Sequence, residues 1–380
     1  MDNLVNLTPF AAAAMPSMDR HGDELILVVV AAHYRLPPAG GVTAASLSLC
    51  ELQEPVVVAD EYWGDPASSS LRREAQTAYR KPGTDIQLLG HAWAPRGRPV
   101  TRGHLALQVG TLRHEAVVFG ERRWSRGLGG LRPTAPEPFE RLPICYERCF
   151  GGACGAEAKR LVEASERNPV GRGLVTSARD ASDQPLPNFE DPRALIDGPD
   201  DLPAPAGFGP LARHWSPRRR YAGTYDEAWV RRRAPHWPED FDERFFCAAP
   251  EPLCATPHLR GEELVKVEGA HPDGDLSFQL PGPRIQVKLA LGGRVGVARM
   301  VLDGLTIMPD DERCTMIWRA ALPVQRDMAA IETIRVRELE PWEDAYAKAD
   351  WSRFDKLPLF RVANRMNAYN TYLLMERQTQ

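Results

Sequence analysis

The chain has 380 residues, 43% hydrophobic and 26% charged, with mean hydropathy -0.37 and a formal charge of -4. At about 150 residues per domain, this length allows two or three domains or one large β-rich unit, with core enough to fold without disulfides or metals. Charge this balanced argues against a dedicated nucleic-acid binder, an acidic tail or a polybasic membrane binder. Gly 30 and Pro 34 make up about 17% of the chain, against a usual value of about 12%. Many turns and long connections are expected, and a helical bundle is not.

The first 24 residues carry an acidic residue, no early Lys or Arg, and an apolar patch broken at Pro16. A signal peptide is therefore not expected. The longest apolar run, Leu25 to Ala32, is too short for a bilayer span of about 20 residues. Seven cysteines, an odd number at low density, do not read as a secreted disulfide framework. A cytoplasmic protein without a membrane segment is expected.

Residues 1–124 read as a β-rich region. ELILVVVAAHYRL, PVVVADEYW and DIQLLGHAWA are strand-like, and HLALQV and LRHEAVVFG flank a hairpin turn at Gly110-Thr111. Residues 125–260 form a Pro-, Gly- and Trp-rich stretch without clean periodicity. Aromatic residues recur through it, from Phe139 and Tyr146 to Phe245 and Phe246, whereas disordered segments are poor in aromatics. Ordered loops packed on the β core are expected, with one short helix in YDEAWVRRRAP starting near Asp226 and Glu227.

Strands return over 261–337. ELVKVEGA and LSFQLPG flank the turn His271-Pro272-Asp273-Gly274, followed by IQVKLAL, VGVARMVLDGLTIM, CTMIWRAALPV and IETIRVREL. In the tail, residues 338–380, Leu359, Val362, Ala363, Met366, Tyr369, Tyr372 and Leu373 fall at helical spacing. The expected fold is mainly β: an antiparallel scaffold with long irregular aromatic-rich loops and a C-terminal amphipathic helix.

Chemical motifs are sparse. Cys145, Cys149 and Cys154 lie close in sequence and Cys247 and Cys254 follow, but no C-x-x-C is present; free thiols are expected, with no metal and no cofactor. His114-Glu115 opens like H-E-x-x-H, yet position 118 is Val. Asp60, Glu61 and Asp65 bracket Tyr62-Trp63-Gly64. Close carboxylates can split their pKa values into an acid/base pair, or cap a turn and pair with arginine. The turn is the expectation, with Trp63 buried in it. Between Pro210 and Pro235, seven arginines face only Asp226 and Glu227, interleaved with Trp215, Tyr221 and Trp229. Arginine–aromatic mixtures build protein interfaces, and nucleic acid is the weaker reading.

Several blocks in unbroken order carry a resemblance. They include Asp60-Glu61-Tyr62-Trp63-Gly64-Asp65-Pro66, Lys81-Pro82-Gly83-Thr84-Asp85, Leu89-Gly90-His91-Ala92 and Phe119-Gly120-Glu121-Arg122-Arg123-Trp124. Others are Phe150-Gly151-Gly152, Asn168-Pro169-Val170-Gly171-Arg172-Gly173, Gly223-Thr224-Tyr225-Asp226-Glu227-Ala228-Trp229 and His271-Pro272-Asp273-Gly274. Over about residues 20–325 the chain resembles a long-uncharacterised bacterial domain family associated with type VI secretion genes. Cys149 departs from a small apolar residue in that pattern, and the tail extends beyond it. The resemblance implies an effector adaptor or chaperone whose partners are a toxic effector encoded nearby and a spike or PAAR-type protein. It carries over no catalytic residues.

Taken together, the expected function is a cytoplasmic adaptor that binds an effector and helps load it onto the spike. Candidate contacts are Trp215, Tyr225, Trp229 and Arg231, together with Met366, Tyr369 and Leu373 on the tail. Asp60, Glu61, Trp63 and Trp124 are expected to hold structure. The alternative is a hydrolase or carbohydrate-active enzyme using Asp60, Glu61 and Asp65 with His91, which needs carboxyl groups about 5–9.5 Å apart in an open cleft.

Overall fold

A computed structural model describes residues 3–41, 44–127, 130–154, 163–175, 181, 183–324, 328–340 and 343. Strand β1 (Ala11–Met18) turns back into the 12-residue β2 (Glu24–Arg35). Then follow β3 (Thr84–Leu88), β4 (Arg102–Val109) and β5 (Leu112–Phe119). After a long irregular stretch come β6 (Cys254–Ala255), β7 (Leu264–Glu268), β8 (Leu276–Gln279), β9 (Ile285–Leu291) and β10 (Arg294–Arg299). The last three are β11 (Val301–Met308), β12 (Arg313–Pro323) and β13 (Ile331–Glu338).

The largest sheet runs β1-β2-β12-β11-β3-β6. Its spine is the antiparallel pair β2 and β12, in register from Leu25↔Pro323 to Arg35↔Arg313. The only parallel neighbours on this path are β3 and β11. β2 is buried on both faces. Ile26, Val28, Val30 and Ala32 enter the main core, while Leu27, Val29 and Ala31 pack with Val56 and Ile317 on the other side. That explains an unbroken apolar run where a strand with one wet face would alternate.

A second sheet runs Phe189–Glu190, β5, β4, β7, β8 and Ala45–Ser46; a third runs Leu4–Asn6, β13, β9 and β10. Leu105, Leu107, Val265, Val267 and Phe278 from the second, and Val287, Leu289, Ile334 and Val336 from the third, enter the same core as Ile26 and Val28. The hairpin at Gly110-Thr111 is present, with Gly110 at φ 56°, and so is the hairpin at 271–274 between β7 and β8.

Several expectations are corrected. PVVVADEYW is not one strand: only Glu61–Tyr62 pairs, with Leu71–Arg73, because Val56 is used to cover the outer face of β2. DIQLLGHAWA divides at Gly90, whose φ is 133° and where a Cβ would lie 2.9 Å from the Asp310 carboxylate. Beyond it, His91–Trp93 leaves the large sheet to pair with Arg141–Pro143. VGVARMVLDGLTIM likewise divides at Met300, sending β10 to the third sheet and β11 to the first. Among the described residues the mainly β, loop-rich scaffold stands, and no C-terminal amphipathic helix is found. Among the described residues the longest helix, Glu227–Arg232, has 6 residues, and positions 359–373 lie outside the described residues.

Candidate functional site

The turn at 60–70 is built from its own carboxylates. Asp60 Oδ1 accepts the Ala75 N–H at 2.8 Å, and Glu61 Oε2 accepts Arg73 Nε at 2.6 Å. Asp65 Oδ1 accepts the Ala67 N–H at 2.8 Å, and its carbonyl accepts the Ser69 hydroxyl at 2.8 Å. None of these contacts joins two of the three acids, and none of them involves His91. Trp63 corrects the expectation of burial: it is 37% exposed, with the Arg72 guanidinium 5.1 Å from its ring. Trp124, by contrast, is 1% exposed and donates Nε1–H to the Gly173 carbonyl at 3.2 Å. His91 pairs elsewhere: Nδ1 lies 2.6 Å from Asp310 Oδ2, and Trp93 Nε1 donates to Asp310 Oδ1 at 3.2 Å.

A second acidic motif is wholly buried. Lys81 donates to Asp85 Oδ2 at 2.7 Å, and the same carboxylate accepts the Ala248 and Ala249 N–H groups at 2.8 and 3.1 Å. Glu74 receives Arg218 at 2.8 Å and Arg213 at 3.0 Å, with Lys81 4.0 Å away. Arg218 also donates to the Leu211 and Phe245 carbonyls at 2.7 and 2.9 Å. Burial works to lower the Lys81 pKa, but Asp85, Glu74 and Asp303 outweigh it and hold the ammonium above its ordinary value. These charges tie the irregular middle of the chain to the edge of the large sheet. No spacing rule in the sequence singled out Glu74, Lys81, Asp85 or Asp310 as such partners.

The arginine–aromatic segment has a buried base and an exposed tip. Trp215 is 1% exposed and meets Tyr146 edge-on, with ring centroids 5.2 Å apart; it is core, which removes it from the contact candidates. Helix α1 (Ser216–Arg219) places Arg218 inward. Helix α2 (Glu227–Arg232) is capped by Asp226, whose carboxylate accepts the Trp229 N–H at 2.8 Å. Trp229 is half-buried and donates Nε1–H to the His236 carbonyl at 2.9 Å. Arg233 ties the far end to the Trp237 and Arg20 carbonyls at 3.0 and 2.9 Å. What remains outward is Tyr225 at 51% exposure, Val230 at 61%, and the exposed Arg231 and Arg232. Met366, Tyr369 and Leu373 lie outside the described residues.

An open cleft of about 760 Å³ adjoins this segment, between the β1–β2 turn and residues 239–243. Three of its acids are engaged. Glu243 accepts the Tyr79 hydroxyl at 2.9 Å, Asp242 accepts Arg244 Nη2 at 2.5 Å, and Asp240 accepts the Thr224 hydroxyl at 2.8 Å. The other sequence candidates are structural. His114 is partly buried and donates Nε2–H to the Gly207 carbonyl at 3.1 Å, and burial lowers its pKa. Burial pushes the Cys145 thiol up to about 12 and Cys149 well above its ordinary value, so both stay protonated. The Cys154 side chain lies outside the described residues.

Among the described residues, no helix is long and apolar enough to cross a membrane. Residues 21–319 match the model of a family described as "Uncharacterized protein conserved in bacteria (DUF2169)", and the chain belongs to that family. No curated protein matches the chain, and no solved structure matches it.

Proposed function

We propose that this protein is a non-covalent adaptor that binds another polypeptide at the tip formed by residues 224–232. The observation that carries the reading is the contrast within one segment. Arg218, Trp215 and Arg233 anchor its base, while Tyr225, Val230, Arg231 and Arg232 project from it. Aromatic and arginine side chains held on a rigid base are the residues that dominate protein interfaces, because little side-chain freedom is lost on docking. The carboxylates that an enzyme would use at 60–65 are occupied by backbone N–H groups and Arg73. In the type VI setting that the sequence resembles, the partner is a toxic effector, held in the cytoplasm before it is loaded onto the spike.

The test uses purified protein and the purified products of neighbouring effector and spike genes. A complex is expected with one of them, with unchanged intact masses, and it is expected to be lost in a Tyr225→Ala/Val230→Asp variant that keeps its melting temperature. Absence of any such complex, with turnover of a substrate abolished by His91→Ala or Asp60→Ala in folded protein, favours the enzyme instead.

A further inference from the structure

The buried motif around Asp85 brings together two cysteines that sequence spacing leaves apart. Strand β6 lies antiparallel to β3 with Cys254 directly opposite Asp85, so both side chains leave the sheet on the same face. Cys247 follows the single-turn helix Glu243–Phe246, and Cys254 follows the single-turn helix Glu251–Leu253. These two tight turns fold the chain back between them. As a result, the two sulfur atoms and an Asp85 oxygen all lie within 4.8 Å of one another. Cys247 is 8% exposed and Cys254 is partly exposed, so the cluster borders solvent on one side. Gly83 keeps that flank narrow but free of a side chain: a Cβ there would lie 3.0 Å from the Cys254 sulfur.

We infer that Asp85, Cys247 and Cys254 form a binding site for one thiophilic divalent cation of the Zn²⁺ or Cd²⁺ type. Zinc takes thiolate at about 2.3 Å and carboxylate oxygen at about 2.0–2.2 Å, commonly with three protein donors and solvent in the fourth position. Small rotations of two cysteine side chains bring donors within 4.8 Å of one another to that spacing. The carboxylate is already aimed. Its Oδ2 is held by Lys81 Nζ and the Ala248 N–H, and its Oδ1 by the Ala249 N–H. A carboxylate offers about four lone-pair sites, so Oδ1 keeps one for a cation. Contacts of this kind orient metal ligands and tune them from outside the coordination sphere.

Charge balance selects the ion. The dication displaces one proton from each thiol, and the resulting dithiolate complex adds no net charge beside the Lys81–Asp85 pair. A cation unable to ionise the thiols would bring two positive charges next to a buried ammonium. Mg²⁺ and Ca²⁺, which require six or more oxygen ligands, are therefore excluded.

The experiment titrates reduced, metal-free, full-length protein with Cd²⁺, following the ultraviolet sulfur-to-cadmium band, proton release and bound metal. One equivalent with two protons released is expected, unaffected by excess Mg²⁺. Cys247→Ser and Cys254→Ser are each expected to abolish the stoichiometric band, and Cys50→Ser and Cys145→Ser to retain it. Circular dichroism and thermal melts check that each variant is folded, and Cys247→Ala and Cys254→Ala replace any serine variant that is not. A band that survives loss of either cysteine, or binding no tighter than that of the double-cysteine variant, overturns the site.

Discussion

Two charged stretches of this chain meet opposite fates. Residues 74–85 bury Glu74, Lys81 and Asp85, and each finds a partner in the interior. Residues 224–233 leave Arg231, Arg232 and Glu227 in water, with Arg231 and Glu227 3.6 Å apart at 71% and 90% side-chain exposure. A buried ion pair fixes geometry because breaking it strands a charge, whereas an exposed pair contributes little. The first stretch therefore holds the fold and the second is free to bind. Arg218→Ala breaks this contrast most sharply. It removes three donors to Glu74, Leu211 and Phe245 and is expected to cost about 3–5 kcal/mol, read from the denaturant midpoint. An Arg231→Ala midpoint shifted as far would erase the distinction.

The same comparison can be made with tryptophans. Trp215→Ala opens a cavity beside Tyr146 in the main core and is expected to lose about 3–5 kcal/mol. Trp63 is 37% exposed, with the Arg72 guanidinium beside its ring. Its truncation is expected to cost about 1 kcal/mol or less. Equilibrium unfolding of both variants decides the matter, and equal losses would mean that Trp63 is covered in solution.

Local pattern made part of this legible. Alternation and glycine turns located β4–β5 and β7–β8, because those hairpins close over a few residues. The cap at Asp226 and the short helix behind it were readable for the same reason. Long-range pairing was not. β2 and β12 are almost 290 residues apart, and nothing local distinguishes them from other apolar runs. The Val56 stretch has strand composition but serves as a cover. Ala11–Met18 has weak strand composition yet becomes an edge strand by register with β2. At the site level, the turn role of Asp60 and Glu61 followed from the residue types. Asp310, the partner of His91, and the meeting of Cys247, Cys254 and Asp85 depend on topology that spacing does not encode.

Acid exposes a finer difference among partly buried acids. Glu121 is held by Arg148 and Arg172 at 2.7 and 2.9 Å. Burial alone would raise its pKa, but the two guanidinium groups outweigh it and keep the carboxyl below its ordinary 4.5. A lowered folded pKa contributes stability that is complete above the unfolded value and is lost as pH falls through the folded one. The gap between the native protein and Glu121→Gln is therefore expected to be widest near neutrality and to shrink below pH 4.5. Urea midpoints at a series of pH values check this, and a gap that widens on acidification contradicts the ion-pair account.

The smallest expected stability effect is the one that matters most for function. Tyr225 touches Trp229 edge-on, with centroids 4.7 Å apart, but half of its surface faces solvent, and Val230 is more exposed still. Replacing both by Ala and Asp removes little buried area, so stability is expected to stay within about 0.5 kcal/mol for each site. Binding should respond differently. If the tip is the contact surface, loss of an aromatic anchor costs about 2 kcal/mol or more, roughly 30-fold in Kd. Calorimetric titration against the co-purifying partner, with a melting curve on the same sample, separates the two quantities. An unchanged Kd with an unchanged melting temperature would move the interface away from α2. A melting temperature lowered by several degrees would mean that Tyr225 and Val230 support the segment, as Trp215 does from beneath.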